Sequence, residues 1–191
     1  MRFIVFDIET SNQFSDVGSA DPSALDISVV GIYDSKTEKY TAYEQHQFND
    51  LWKSIEQADL LIGFNSDHFD IPLLNKYYPG DLSHIASLDL LKEIRASLGR
   101  RIKLDTIAEA TLGERKGGHG LQAIQWWRDG EKQKVIDYCI QDVKVTKDIY
   151  EYALKHGSVK YKELGKIQTI SLDTRTWKDK GETTLTHTLP F

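Results

Sequence analysis

The 191-residue chain has one cysteine, Cys139, so neither an intrachain disulfide nor a multi-cysteine zinc site can form. No apolar run approaches the roughly 18 residues that a membrane helix needs. Its first residues, Met1-Arg2-Phe3-Ile4-Val5-Phe6-Asp7, read into a strand rather than into a signal peptide. Internal repeats and low-complexity blocks are also missing. These absences argue against secreted, membrane-spanning and disordered classes, and the expectation is a cytoplasmic protein without a membrane partner. What is present, 40% hydrophobic and 28% charged residues, suits an ordinary folded domain. A chain of this length buries about 70% of the surface its unfolded form exposes, enough for one core without staples.

The net charge of −5 is unevenly spread. Residues 1–90 carry 5 Lys/Arg against 15 Asp/Glu, whereas residues 91–191 carry 19 against 14. Such an asymmetry suits a protein that gathers carboxylates in one place and meets a polyanion with another, although solvated faces explain it equally simply.

Hydrophobic periodicity outlines an α/β domain. Residues 2–8 form a continuous apolar run, as in a strand covered on both faces. A long polar loop from Thr10 to Asp26 leads to strands at Ile27–Tyr33 and Lys39–Tyr43. Phe48, Leu51, Trp52 and Ile55 recur at helical spacing. A strand at Asp59–Phe64 precedes a helix starting near Asp70, and a strand at His84–Leu88 precedes a helix capped by Asp89. A further helix is expected, capped by Asp105 and ended by Gly113, then a short one after Gly120 and a long one from Lys132 to Lys155. Trp126 and Trp127 are neighbours on the short helix and are not expected both to face the core. Residues 159–177 alternate as a hairpin around Gly165. The expected organisation is one domain over residues 1–177 with a loose tail over 178–191.

Three segments carry chemistry. In Phe6-Asp7-Ile8-Glu9-Thr10, Asp7 and Glu9 lie two apart on a strand and share a face. Adjacent carboxylates repel unless a cation neutralises them or the strand end drifts into water. In Gly63-Phe64-Asn65 through Phe69-Asp70-Ile71-Pro72, a strand turns into a helix, and capping alone accounts for Asp70. In Tyr138-Cys139-Ile140-Gln141-Asp142, a spacing of four stacks Tyr138 and Asp142 on one helix face. A half-buried aromatic beside a solvated acid is the plain alternative.

In order and spacing the three segments resemble the exonuclease motifs of the Asp-Glu-Asp-Asp superfamily of 3′–5′ exonucleases, in its tyrosine-containing DEDDy branch. The second and third are similar to those of the proofreading domain of family-B DNA polymerases. The histidine branch would place His at position 137, where this chain has Asp137. The resemblance covers roughly residues 1–155 and nothing of polymerase length, which implies a free-standing nuclease or one supplied to a polymerase or other replication or repair protein. It further implies a ribonuclease H-like mixed β-sheet flanked by helices, here followed by the C-terminal hairpin, and two divalent cations. An all-oxygen donor set favours Mg2+ or Mn2+ over zinc. By analogy Asp7 bridges both ions, Glu9 and Asp142 complete the site of the attacking water, and Asp70 holds the second ion. A phenol of ordinary pKa, about 10, is a poor base near neutrality. Tyr138 is therefore expected to orient the water.

The implied substrate is the 3′ end of single-stranded DNA or RNA, and the implied product a nucleoside 5′-monophosphate. Candidate substrate contacts are Asn65, Phe69, Arg101 and His119, with Arg95, Arg100 and Lys103 clustered near Arg101. Phe14, in the long loop, is a further candidate for stacking on a base, which its position alone does not decide. The run Arg115-Lys116-Gly117-Gly118-His119-Gly120 suits an anion or a plain connector. The final Thr186–Phe191 faintly resembles clamp-binding peptides. A non-catalytic nucleic-acid-binding module on the same fold, or a structure-selective endonuclease, are the competing readings.

Overall fold

In a computed structural model, described over residues 1–113 and 120–181, the chain forms a five-stranded mixed sheet between two layers of helices. Chain order is β1 (Phe3–Thr10), α1 (Phe14–Val17), β2 (Ile27–Asp34), β3 (Lys39–Tyr43), α2 (Phe48–Ile55), β4 (Leu60–Gly63), α3 (Asp70–Asn75), β5 (Ala86–Asp89), α4 (Leu90–Leu98), α5 (Leu104–Leu112), α6 (Gly120–Arg128), α7 (Lys132–His156), β6 (Ser158–Glu163) and β7 (Lys166–Ser171). The sheet runs β3-β2-β1-β4-β5. β1 and β2, and β2 and β3, are antiparallel, while β1, β4 and β5 are parallel. β6 and β7 make the separate hairpin that the alternation predicts.

β1 lies at the centre and is covered on both sides, which is why its sequence is almost unbroken apolar. Its even residues Ile4, Phe6 and Ile8 pack with Leu51, Ile55 and Leu73 from α2 and α3. Fully burying a side chain of that size is worth about 1.5–3 kcal/mol. Val5 on the opposite face joins Ile62, Leu88, Val143 and Ile149 in the core under α4, α5 and α7. Past the hairpin, Trp177 is buried and stacks on Tyr150 with ring centroids 6.0 Å apart. Lys180 then pairs with Glu93 at 2.9 Å. No helix among the described residues is long and apolar enough to cross a membrane.

Three local expectations need correction. The Thr10–Asp26 loop holds the four-residue α1 and a 3-10 turn at Pro22–Ala24, because Pro22 and Leu25 are buried and anchor it. Asp70 is the first residue of α3 rather than its cap, a position taken by Phe69 without any side-chain capping bond. Asp105 likewise lies inside α5, whose N-cap is Lys103. The tryptophan pair divides its work: Trp126 packs edge-on to Tyr138, and Trp127 lies under the Lys132 ammonium. Both indoles are half-buried.

One ion pair locks the base of the sheet. The Arg2 guanidinium donates from Nε and Nη2 to the two carboxylate oxygens of Asp34 at 3.0 and 2.7 Å, tying the entry of β1 to the end of β2. Burial pushes the Asp34 carboxyl up, but the Arg2 bonds and the Lys36 N–H outweigh it and leave its pKa lowered. A carboxylate with a lowered folded pKa adds stability above its unfolded value, about 4, and loses it as pH falls through the folded value. Thermal melts of wild type and Asp34→Asn should therefore differ at neutral pH and converge below about pH 4.

Candidate active site

β1 extends beyond its parallel neighbour. β4 pairs only with Phe3–Val5, so the later half of β1 has an open edge on that side. There the two strands part and a cleft of about 460 Å³ opens, lined by Asp7, Glu9, Asp70, Tyr138 and Asp142 among others. Asp7 and Glu9 lie on the β1 face that looks toward α7, as strand alternation requires. From α7, Tyr138 and Asp142 reach the same cleft one helical turn apart. Carboxylate oxygens of Asp7, Glu9 and Asp142 lie within 4.8 Å of one another, and both Glu9 and Asp142 are buried.

Three converging carboxylates suit a hard cation, and the neighbouring thiol supports that donor chemistry. Cys139 Sγ approaches the Asp7 carbonyl oxygen at 3.4 Å and Asp7 Oδ2 at 3.8 Å. Burial first, then the charges of Asp7, Glu9 and Asp142, push this thiol well above its ordinary pKa. Cys139 donates to Asp7 and does not join the three converging groups, which offer oxygen atoms, the donors that hard cations prefer. Asp70 lines the same cleft but is not among those three. Burial, then the charge of Asp89, push its carboxyl up to about 8, against the pull of the backbone N–H groups of Asp70 and Ile8. A carboxyl held that way accommodates a cation at lower cost than it bears a lone charge.

The close approach of α7 depends on a glycine. Gly31 pairs directly with Asp7 across β1 and β2. A Cβ built on Gly31 would lie 2.9 Å from Cys139 Sγ and 3.1 Å from Val143 Cγ2. Only a bare backbone lets the helix come near enough for Asp142 to meet Asp7. Sequence reading passed over Gly31, for which the one available signal was a glycine inside an otherwise apolar strand.

Between β4 and α3 the chain makes a tight turn. Gly63 is required there, since a Cβ would fall 2.4 Å from Ser66 Cβ. Asn65 adopts a left-handed φ of 70°, a conformation that asparagine tolerates better than most residues. The turn is held by Asp89, which the sequence identified only as a helix cap. Asp89 Oδ1 accepts from the N–H groups of Leu91 and Lys92 in α4 and from Asn65 N–H at 2.8 Å, while Oδ2 accepts from Asp67 N–H at 3.3 Å. One buried carboxylate thus clamps the turn to the helix.

The candidate substrate residues divide. Asn65 and Phe69 line the cleft, and Phe69 meets Phe14 edge to face with centroids 6.2 Å apart. Phe14 is 39% exposed at the cleft mouth, where the exposed Leu121 also lies. Arg101 donates from Nη2 to Asn65 Oδ1 at 2.7 Å. Arg100 turns away, pairing with Glu163 on the hairpin at 2.7 Å. His119, with the rest of 114–119, and the tail from 182 onward lie outside the described residues.

Comparison with known proteins agrees with this architecture. The family model described as the RNase H superfamily matches residues 4–154. A DNA polymerase of Archaeoglobus fulgidus is 26% identical over 211 residues, covering 95% of this chain and 26% of the polymerase. The structure of the family B DNA polymerase from the hyperthermophilic archaeon Pyrobaculum calidifontis superposes with a TM-score of 0.61 at 22% identity, over 81% of this chain and 24% of that one. The chain thus spans about a quarter of the length of each of these two polymerases.

Proposed function

The chain belongs to the RNase H superfamily, and on that premise we propose that it is a DEDDy-type 3′–5′ exonuclease, releasing nucleoside 5′-monophosphates from single-stranded DNA or RNA. The observation that carries this reading is the convergence of Asp7, Glu9 and Asp142 oxygens within 4.8 Å in a cleft also lined by Asp70 and Tyr138. The family match over residues 4–154, which contain all five residues, and similarity to a polymerase over 95% of the chain support it.

In this reading Asp7, Glu9 and Asp142, with Asp70 beside them in the cleft, are the residues that would hold two divalent ions, Mg2+ or Mn2+. Such ions supply Lewis acidity at the attacking and leaving oxygens of an in-line displacement at phosphorus. The protein's own groups do the rest. The Tyr138 hydroxyl hydrogen-bonds the attacking water and sets its line of approach. Asn65 holds the strand near the reacting phosphate, Phe69 and Phe14 take the face or edge of the terminal base, and Arg101 steadies Asn65. Aromatic contact suits any base and predicts little sequence preference.

A time course on 5′-labelled single-stranded DNA and RNA of one sequence, with magnesium, manganese or chelator, tests the reading. A ladder shortening by single nucleotides, stopped by chelator and blocked by a 3′-phosphate, is the expected result. Full-length substrate persisting with either metal would remove the enzymatic reading, and cutting of circular DNA would replace it with an endonuclease. Tyr138→Phe should keep manganese affinity while slowing single-turnover cleavage by about 10²-fold, within the range of a positioned proton-bearing group. An unaltered rate would end the water-orienting role of Tyr138.

A further inference from the structure

We propose that the groove beyond the Asn65 turn is a second phosphate-binding subsite, which takes the sugar–phosphate backbone of the single strand upstream of the bond being cut. The proposal rests on the exonuclease reading above, since only in a 3′-end enzyme does the strand leave the cleft on its 5′ side. The groove, about 450 Å³, is lined by Asp67 and His68 of the turn, by Lys92 and Arg95 of α4, and by Arg101. Asn65 lines both this groove and the carboxylate cleft, so the two spaces meet at one side chain. A third hollow, holding Arg101 and Lys103, also begins at Asn65.

Charge and hydrogen bonding fit a phosphodiester. Three cations face the groove, against the carboxylates of Asp67 and Asp89. Asp89 is buried and its oxygens accept four backbone N–H groups, whose dipoles offset part of its charge toward a ligand in the groove. Asp67 accepts from Ser87 Oγ at 2.7 Å and pairs with Lys92, whose side chain is 70% exposed. An ion pair so exposed contributes little, and Lys92 can exchange Asp67 for a phosphate at small cost. Arg95 is exposed on the same helix face one turn further on. The groove therefore joins the acidic first half of the chain to the basic second half at the place where a polyanion would leave the cleft.

Fluorescence anisotropy of a 5′-labelled deoxythymidine decamer and of the dinucleotide, in chelator and across a salt series, tests the groove without turnover. Arg95→Ala and Lys92→Ala should each weaken decamer binding about tenfold and flatten the log–log salt dependence by roughly 0.7. The penalty should shrink for the dinucleotide, whose single phosphodiester is the bond to be cut and which has no upstream backbone. Arg175→Ala, an exposed cation paired with Asp173 beyond the hairpin, should leave decamer binding as in wild type. If wild type cleaves the decamer yet neither groove variant alters affinity or salt slope, the groove proposal is overturned and the nuclease reading stands. Equal losses in Arg175→Ala overturn it as well, since general charge would then explain them. Wild type that neither binds nor cleaves the decamer overturns both.

Discussion

Asp7→Ala is expected to lower cleavage by at least about 10³-fold while leaving the fold intact. Asp7 belongs to the group of three carboxylates and, in the proposed mechanism, is among the ligands of the ions, so its loss removes several kcal/mol of charge stabilisation from the displacement. The stability effect should have the opposite sign. With no cation bound, Asp7 faces Glu9 and Asp142 across a few ångströms, a like-charge arrangement that destabilises the folded state. Relieving about 1 kcal/mol of repulsion would raise the melting temperature in chelator by about 2–4 °C for a chain of this size. Manganese should stabilise wild type and do little for the variant. A calorimetric titration with melts in chelator and manganese gives both answers. Wild-type turnover in Asp7→Ala would refute the assignment of the ions to this cluster.

Gly31→Ala is expected to damage activity from a position that touches neither substrate nor ion. The new methyl would lie 2.9 Å from Cys139 Sγ, closer than real Cβ contacts come, and 3.1 Å from Val143 Cγ2, a crowded contact. Overpacking of this kind costs about 1–3 kcal/mol, or roughly 2–12 °C in melting temperature for 150–250 residues. The helix carrying Tyr138 and Asp142 would have to lift away from Asp7 and Glu9. A misplacement of about 1 Å among reacting groups costs on the order of 10²-fold in rate. Adding Cys139→Ala removes the nearer clashing atom and should return part of both losses. Equal activity in the single variant and wild type would mean that α7 is not held by this contact.

The two predictions act on different parts of one arrangement. Asp7 supplies charge, whereas Gly31 sets the distance at which that charge meets Asp142. Asp89 plays a role similar to that of Gly31 on the other wall, since its carboxylate carries the Asn65 turn on the end of α4. Rigid placement of acidic groups by close backbone packing and buried hydrogen bonds reduces the reorganisation required during reaction.

Much of this was legible before any coordinates. Apolar runs and helical spacing located β1, β2, α2 and α7, since burial on one or both faces leaves a period in the chain. The same periods put Asp7 with Glu9, and Tyr138 with Asp142, on shared faces, because such pairs are separated by only two and four residues. Local rules ended where contacts became distant. Capping chemistry explained Asp70 well enough from sequence, yet its carboxyl is buried in the cleft while Phe69 takes the cap position. Asp89 reads as a cap and is one, but its grip on Asn65 crosses 24 residues and leaves no pattern. Clustered arginines looked alike in the sequence, whereas Arg100 turns to the hairpin and Arg101 to Asn65. The sequence alone determined which elements form and which carboxylates share a face, because those depend on backbone periodicity. Only the tertiary structure decided that the three segments meet around one cleft, at a separation fixed by a missing side chain on β2, because that depends on how closely surfaces far apart in the chain can pack.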